Sequence, residues 1–242
     1  MNRFFLCCLL TQASSFSISA ESVKNHSGFL CAIEGIDGAG KTTLLKKLEE
    51  KFKATDQKVI FTREPGATSL GQKIRSLLVE QSGQKDKQAE YLLFAADRAQ
   101  HFAQKIIPHL SQGFIVISDR MADSSLAYQG YVKGVDIDMI KTINAWCMHG
   151  IQPDLVIYLK ISPQLAKQRI ATTRGIQTEF EQEYLDRIQT LYDAFETIFA
   201  NRSNVLIVDA TAHSDLIAQQ VFDAIVQLSE NCSSGCVTPQ SL

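Results

Sequence analysis

The sequence predicts an α/β fold in which a five-stranded parallel sheet carries helices on both faces. Three observations lead there. Five short apolar runs recur along the 242 residues, each followed by a stretch of helical periodicity. The runs are continuously apolar rather than alternating, as strands buried on both faces are. The first run also leads into a glycine-rich turn that opens a helix, the place where such sheets bind phosphate. With no internal repeat and no linker, one domain is expected.

The first strand, Phe29 to Ile33, leads through Glu34 into Gly35-Ile36-Asp37-Gly38-Ala39-Gly40-Lys41-Thr42, a full match to G-x-x-x-x-G-K-[ST]. Thr42 and Thr43 then open a helix with Leu44, Leu45 and Leu48 on one face and Lys46, Lys47, Glu49 and Glu50 on the others. Gly35, Gly38 and Gly40 let successive N–H groups turn inward, a nest for phosphate oxygens at the positive end of a helix. Lys41 is placed to reach β and γ phosphates, and the Thr42 hydroxyl suits Mg²⁺, which takes hard oxygen ligands. The plain alternative, a turn that binds nothing, is disfavoured by the strand before it and the helix after it. The fold is therefore expected to be a three-layer sandwich of the P-loop NTPase type. The loop alone leaves open which NTPase or kinase this is.

A second strand, Lys58 to Thr62, ends in Arg63-Glu64-Pro65-Gly66-Ala67-Thr68. Pro65 keeps Glu64 out of helical geometry and Gly66 permits a tight turn, so Arg63 and Glu64 are presented at a strand's carboxyl end. Ser69 to Val79 reads as a helix with Leu70, Ile74, Leu77 and Leu78 inward, followed by a polar break at Gln81 to Gln84. From Lys87 to Leu110 a long helical pattern carries Asp97 and Arg98, which by spacing alone belong on a solvated face. The third strand, Phe114 to Ser118, stops at Asp119-Arg120. That is where a P-loop protein places the acidic group of its Mg²⁺ shell, and Arg120 faces the same cleft. Met121 to Gly130 has the pattern of a helix stopped by glycine.

Asp136 to Met148 is helical, and Pro153-Asp154 introduces a fourth strand, Leu155 to Lys160. Ser162 caps the next helix and Pro163 starts it; it runs to about Thr172 and carries Lys167 and Arg169. After a polar stretch with Arg174-Gly175 comes a helix from Glu181 to Arg202. The fifth strand, Val205 to Val208, ends in Asp209-Ala210-Thr211. Ser214 to Leu228 is a closing helix with Leu216, Ile217, Val221, Ile225 and Leu228 on one side, and Glu230 to Leu242 reads as disordered.

The composition, 45% hydrophobic and 21% charged, is that of an ordinary globular protein. A net charge of −2 provides no basic field, so neither nucleic acid nor an anionic membrane is an expected partner. The six cysteines form no CxxC pair and no Cys/His ligand spacing; Cys31 and Cys147 read as buried free thiols. That usage fits a reducing compartment, the cytoplasm. Met1 to Ala20 has the form of a short signal peptide, with Arg3 before the apolar run Phe4 to Leu10 and with Ile18-Ser19-Ala20 resembling a small-residue cleavage site. A loop that needs ATP argues against export. An organelle-targeting extension, or translation starting nearer Gly28, are the alternatives. Residues 1–27 are set aside as an extension, leaving a domain over 28–229 and a tail over 230–242.

Taken together these pieces resemble the bacterial-type thymidylate kinases. The matching marks run in order: Glu34-Gly35-Ile36-Asp37-Gly38-Ala39-Gly40-Lys41-Thr42-Thr43, Thr62-Arg63-Glu64-Pro65-Gly66, Phe94 and Arg98, Asp119-Arg120, Ser124-Ser125, Ala127-Tyr128-Gln129-Gly130, Pro153-Asp154-Leu155 and Asp209-Ala210-Thr211. The P-loop is shared by many kinases; Arg-Glu-Pro-Gly with Ala-Tyr-Gln-Gly is more particular. The resemblance implies transfer of the ATP γ-phosphoryl group to dTMP with Mg²⁺, in a homodimer. It implies that Phe94 stacks on thymine, Arg98 bonds the base, and Arg120 holds the dTMP phosphate. Ser125, Tyr128 and Gln129 would line the thymidine side, Asp37 would lie near the dTMP sugar or phosphate, and Glu64 and Pro65 would lie in the acceptor pocket. Asp119 would sit near the metal with Thr42, and Asp209, Ala210 and Thr211 would edge the adenine, with Arg169 stacking on it.

Four departures from that family's pattern stand out. Ala67 occupies the place of a second glycine, Met121 that of an aromatic or histidine, and the segment after Asp186 is short. The lid, Ala171 to Glu183, holds a single arginine, Arg174, which becomes the expected catalytic lid arginine beside Lys41, Arg120 and Asp37. A kinase for another nucleoside or nucleoside monophosphate, or a P-loop regulatory protein without turnover, are the competing readings.

Overall fold

Strand β1 (Phe29–Glu34) is buried at every residue, as a strand in the middle of a sheet covered on both faces must be. It belongs to a computed structural model that describes residues 26–79, 85–174 and 179–234, with the backbone alone at 173, 174, 179–186 and 232–234. The signal-like stretch, the polar break at 81–84 and residues 235–242 lie outside the described residues. β2 (Val59–Arg63), β3 (Ile115–Asp119), β4 (Leu155–Lys160) and β5 (Val205–Asp209) join β1 in one parallel sheet, in the order β2-β3-β1-β4-β5. All five expected strands are present, within a residue or two of their expected bounds. The chain winds outward to β2, returns to β3, then crosses β1 to β4, so the carboxyl ends of β1 and β3 open on the crevice where ligands bind in such sheets.

The register shows two helical layers. Phe61, Ile117, Cys31 and Leu155 are paired in one row and share a face, where Phe61 and Phe222 both pack on Phe52. That face carries α1 (Lys41–Phe52) and α9 (Ser214–Ser234). Tyr158, three residues beyond Leu155, points the other way and packs on Phe195 and Phe199 of α8 (Glu179–Phe199). Between them lies the main core, which includes Cys31, and a smaller apolar cluster holds Tyr91, Ala95, Val135, Ile140 and Cys147; both cysteines are buried free thiols.

Four expectations need correcting. In α2 (Ser69–Val79) the buried positions are Gly71 and Ile74, while Leu70 and Leu77 are about half exposed. The helix leans on α3 (Lys87–His101) through its small residue, so the contact centres on Gly71 and the flanking leucines fall outside it. The long helix is interrupted: a π-helical turn, Phe102–Ile106, separates α3 from α4 (Ile107–Ser111). Pro108 cannot donate an N–H and its ring crowds the preceding turn, and the wider turn accommodates both. Gly130 does not stop a helix. α5 (Ala122–Ser125) passes into a π-helical segment, Leu126–Val132, that runs through Gly130, where a Cβ would come within 2.4 Å of Ile137 Cδ1. Gly130 is there for close approach to α6 (Ile137–Cys147), and the chain turns instead at Gly134, with φ 67°. Finally, α9 continues to Ser234 and its buried stripe is Ile217, Ala218, Val221 and Ile225, leaving Leu216 exposed.

Candidate active site

One cleft of about 1280 Å³ runs along the carboxyl ends of the strands. At one end lies the loop after β1. Gly38 and Gly40 hold φ of 82° and 95°, which only glycine adopts without strain, and Gly40 caps α1. Lys41 folds back over the loop: its Nζ donates to Gly35 O at 2.8 Å and Ile36 O at 2.9 Å and lies 3.8 Å from Asp37 Oδ1. The remaining walls here are Thr42, Thr43 and Arg169. Arg169 is on α7 (Pro163–Arg174) and bridges Gly38 O and Ala210 O, tying the phosphate loop to the turn after β5.

At the centre stands Arg120. Its φ of 66° is rare for a non-glycine residue, and its N–H is fixed on Ile33 O at 3.0 Å. Its guanidinium donates to Gly35 O (3.2 Å), Ser124 Oγ (3.1 Å), Tyr128 OH (3.1 Å) and the Asp37 carboxylate, and stacks on the Tyr128 ring. Four fixed partners make it a rigid fork aimed along the cleft.

The other end is built on a buried ion pair. Arg98, 1% exposed, donates through Nε to Glu64 Oε2 (2.9 Å), through Nη1 to Asn144 Oδ1 (2.6 Å) and through Nη2 to Ser125 Oγ (3.1 Å). Burial alone would raise the Glu64 carboxyl, but Arg98 and His101 outweigh it and hold it below the ordinary range. An ionised carboxylate only accepts, so His101 Nδ1, 3.0 Å from Glu64 Oε1, is the donating nitrogen, and Nε2 meets the Thr62 hydroxyl at 2.6 Å. Asp97 fixes the adjoining turn by accepting from Gly66 N at 3.0 Å. The Asp97-Arg98 pair is thus buried rather than solvated, against the spacing argument. Ala67 is no obstacle in this turn, because the left-handed residue is Gly66, with φ 106°.

Of the expected site residues, Asp37, Gly38, Ala39, Gly40, Lys41, Thr42, Thr43, Glu64, Pro65, Phe94, Arg98, Asp119, Arg120, Ser125, Tyr128, Gln129, Arg169, Ala210 and Thr211 all line this cleft. Gly35 and Ile36 sit behind the loop, presenting carbonyls to Lys41. Asp209 turns away and caps its own turn through Thr211. Arg174 ends α7, and its side chain lies outside the described residues.

Sequence reasoning missed the supports: His101, Asn144 and the side chain of Glu34. Asn144 did leave a signal, as a polar residue on the buried stripe Ile140, Asn144, Cys147. Glu34 is fully buried and accepts from Met121 N (2.8 Å), Ser124 N (3.3 Å) and Ser124 Oγ (2.6 Å), fixing the start of α5 behind Arg120. Burial, with Asp123 adding, pushes its carboxyl from 4.5 up to about 7, against the pull of Arg120 and its hydrogen bonds. A raised carboxyl contributes stability that is full below about pH 4.5 and is lost as pH rises through about 7. Glu34→Gln is therefore expected to gain on the wild type by up to about 3 kcal/mol as pH goes from roughly 5 to 8. Denaturant titrations of both proteins across that range check it; a constant difference would contradict it.

Comparison with known proteins agrees with this geometry. A family model described as thymidylate kinase matches residues 33–221. A thymidylate kinase from Staphylococcus haemolyticus is 36% identical over 194 residues, covering 80% of this chain and 95% of its own length. One from Pelotomaculum thermopropionicum is 39% identical over 214 residues, covering 83% and 97%, and one from Halothermothrix orenii 42% over 160 residues, covering 66% and 76%. The match takes in the phosphate loop, the Arg98–Glu64 pair and the turn after β5, and the chain belongs to the thymidylate kinase family.

Proposed function

We propose that this chain transfers the γ-phosphoryl group of ATP to dTMP, giving ADP and dTDP. The observation that carries the reading is a single cleft with a phosphate loop at one end, a buried Arg–Glu acceptor pocket at the other and Arg120 between. At about 1280 Å³ it exceeds the roughly 300–1,000 Å³ of sites for one small ligand, as a site for two nucleotides must. The loop N–H groups of Gly38, Gly40, Lys41 and Thr42 and the Lys41 ammonium take the ATP phosphates, and Arg169 with Ala210 and Thr211 borders the base. Phe94 stacks on the acceptor base, Arg98 donates to it, and Arg120 grips its phosphate. Transfer then depends on alignment and on neutralising charge, so no covalent intermediate on the protein is required.

Thr42 and Asp119 are suited to hold Mg²⁺: both line the cleft, and Asp119 Oδ1 is a buried oxygen without a hydrogen-bond partner. When bound, the ion neutralises charge on the β and γ oxygens. We assign the lid role to Arg174. Arg174→Ala is expected to lower kcat by about 10²-fold with the melting temperature unchanged. Unchanged turnover would remove it from the mechanism.

The catalytic domain is taken to span 28–229 and to work in the cytoplasm as a homodimer. Leu70 and Leu77 on α2, Leu92 on α3 and Met139 and Trp146 on α6 leave apolar side chains exposed along three neighbouring helices, a face that a second copy would cover. Among the described residues no helix is long and apolar enough to cross a membrane. An ADP-release assay with dTMP, dUMP, dCMP and AMP tests the reading. Preference for dTMP supports it; preference for another acceptor would move the chain to a different substrate, and ATP binding without release would deny it turnover.

A further inference from the structure

Two rungs join α3 to the segment that follows α5, and they frame Phe94. Glu90, Phe94 and Arg98 are spaced four apart on one face of α3. Ser125 and Gln129 are spaced four apart on the facing segment. Arg98 Nη2 donates to Ser125 Oγ at 3.1 Å, and Gln129 Nε2 donates to Glu90 Oε1 at 3.1 Å. Phe94, Arg98, Ser125 and Gln129 all line the cleft. Lys133 Nζ holds the second Glu90 oxygen, Oε2, at 2.5 Å.

The chemistry of the second rung is one-directional. A carboxylate accepts and does not donate, so Glu90 can face only the NH₂ side of the Gln129 amide. The amide carbonyl is thereby left for a ligand, and Gln129, 4% exposed, has no room to be indifferent to which end is presented. At the other rung the guanidinium can only donate, and the Ser125 hydroxyl, which already accepts from it, has an O–H to offer. A flat ring lying on Phe94 therefore meets donors at the Arg98 end and an acceptor at the Gln129 end. A ring carbonyl beside a ring N–H satisfies both, as in thymine and uracil. Cytosine presents an amino donor to the guanidinium and an unprotonated ring nitrogen to the carbonyl, and both contacts fail.

We propose that Glu90 is a specificity-determining positioning residue that locks the Gln129 amide in the orientation selecting 4-oxo over 4-amino pyrimidine nucleotides. The proposal rests on the dTMP reading above and deepens it. Glu90→Gln keeps the shape of the side chain but can donate as well as accept, so the Gln129 amide is free to turn and present its NH₂ group.

Calorimetric affinities of wild type and Glu90→Gln for dTMP, dUMP and dCMP test this without requiring turnover. The preference for dTMP over dCMP is expected to fall by about 10-fold, the worth of one hydrogen bond, while the ratio of dTMP to dUMP stays constant. Selectivity against dCMP that is the same in both proteins would overturn the proposal. So would an equal loss of affinity for all three nucleotides, the mark of a merely structural role. If the wild type selects dTMP but the γ-phosphoryl group never moves, the activity falls and the role of Glu90 stands.

Discussion

Lys41→Met is expected to lower kcat by about 10³-fold, comparable to the loss of a preorganised donor to a charged transition state, while the protein stays folded. The reason is that Lys41 has little to do for stability. Its two acceptors are each served by another donor: Gly35 O by Arg120 Nη1 at 3.2 Å and Ile36 O by Ala39 N at 3.3 Å. Burial, then the nearby Arg120, lowers its ammonium from 10.5 to about 8, against the pull of Asp37, Asp119 and Glu34. The charge is thus held at a cost, and methionine relieves that cost while orphaning no carbonyl, so stability should change by about 1 kcal/mol or less. The lowered value has a second consequence. The charged form binds phosphate, so ATP affinity should fall as pH rises through about 8, where binding must carry in a proton. Calorimetry at several pH values reads this directly, and the methionine variant should not show it.

Arg120→Ala is expected to lower kcat/KM for dTMP by about 10³-fold, and Arg120→Lys should restore little of it. An ammonium cannot replace a fork that contacts Gly35, Asp37, Ser124 and Tyr128 together. The alanine variant does more than remove a cation. It strips Asp37 of its nearest cation, leaving Lys41 at 3.8 Å, so less of the carboxylate's charge is offset beside the position of the transferred phosphoryl group, where a carboxylate repels. Adding Asp37→Asn to Arg120→Ala should therefore recover part of the loss, with a coupling of about 1–3 kcal/mol. Strictly additive effects in steady-state kinetics would show that the ion pair has no part in placing the acceptor.

The sheet was legible because each strand is a short apolar run and both faces are covered, which leaves a continuous signal in the chain. The phosphate loop was legible because its mechanism demands glycine at set spacings. Helix faces were less so. Leu70, Leu77 and Leu216 fit helical periodicity yet point outward, since periodicity cannot tell a face packed on this chain from one left open. The π-helical turns at Phe102–Ile106 and Leu126–Val132 escaped because their causes, Pro108 and the press of Ile137 on Gly130, lie in local crowding rather than in hydrophobic pattern. At the site, Lys41, Arg120 and Glu64 could be placed from strand ends. Glu90, His101 and Asn144 could not, because each acts on a residue more than 30 positions away, and only the folded chain brings α3, α6, the segment after α5 and the turn after β2 together.

The central claim is that one cleft joins the two nucleotides for direct transfer. It is tested most directly by incubating the protein with Mg²⁺, dTMP and ATP radiolabelled at the γ position, then separating the products by chromatography. Label should appear in dTDP, in step with ADP formation and dependent on Lys41. Label found only in inorganic phosphate, from protein that binds both nucleotides, would contradict it.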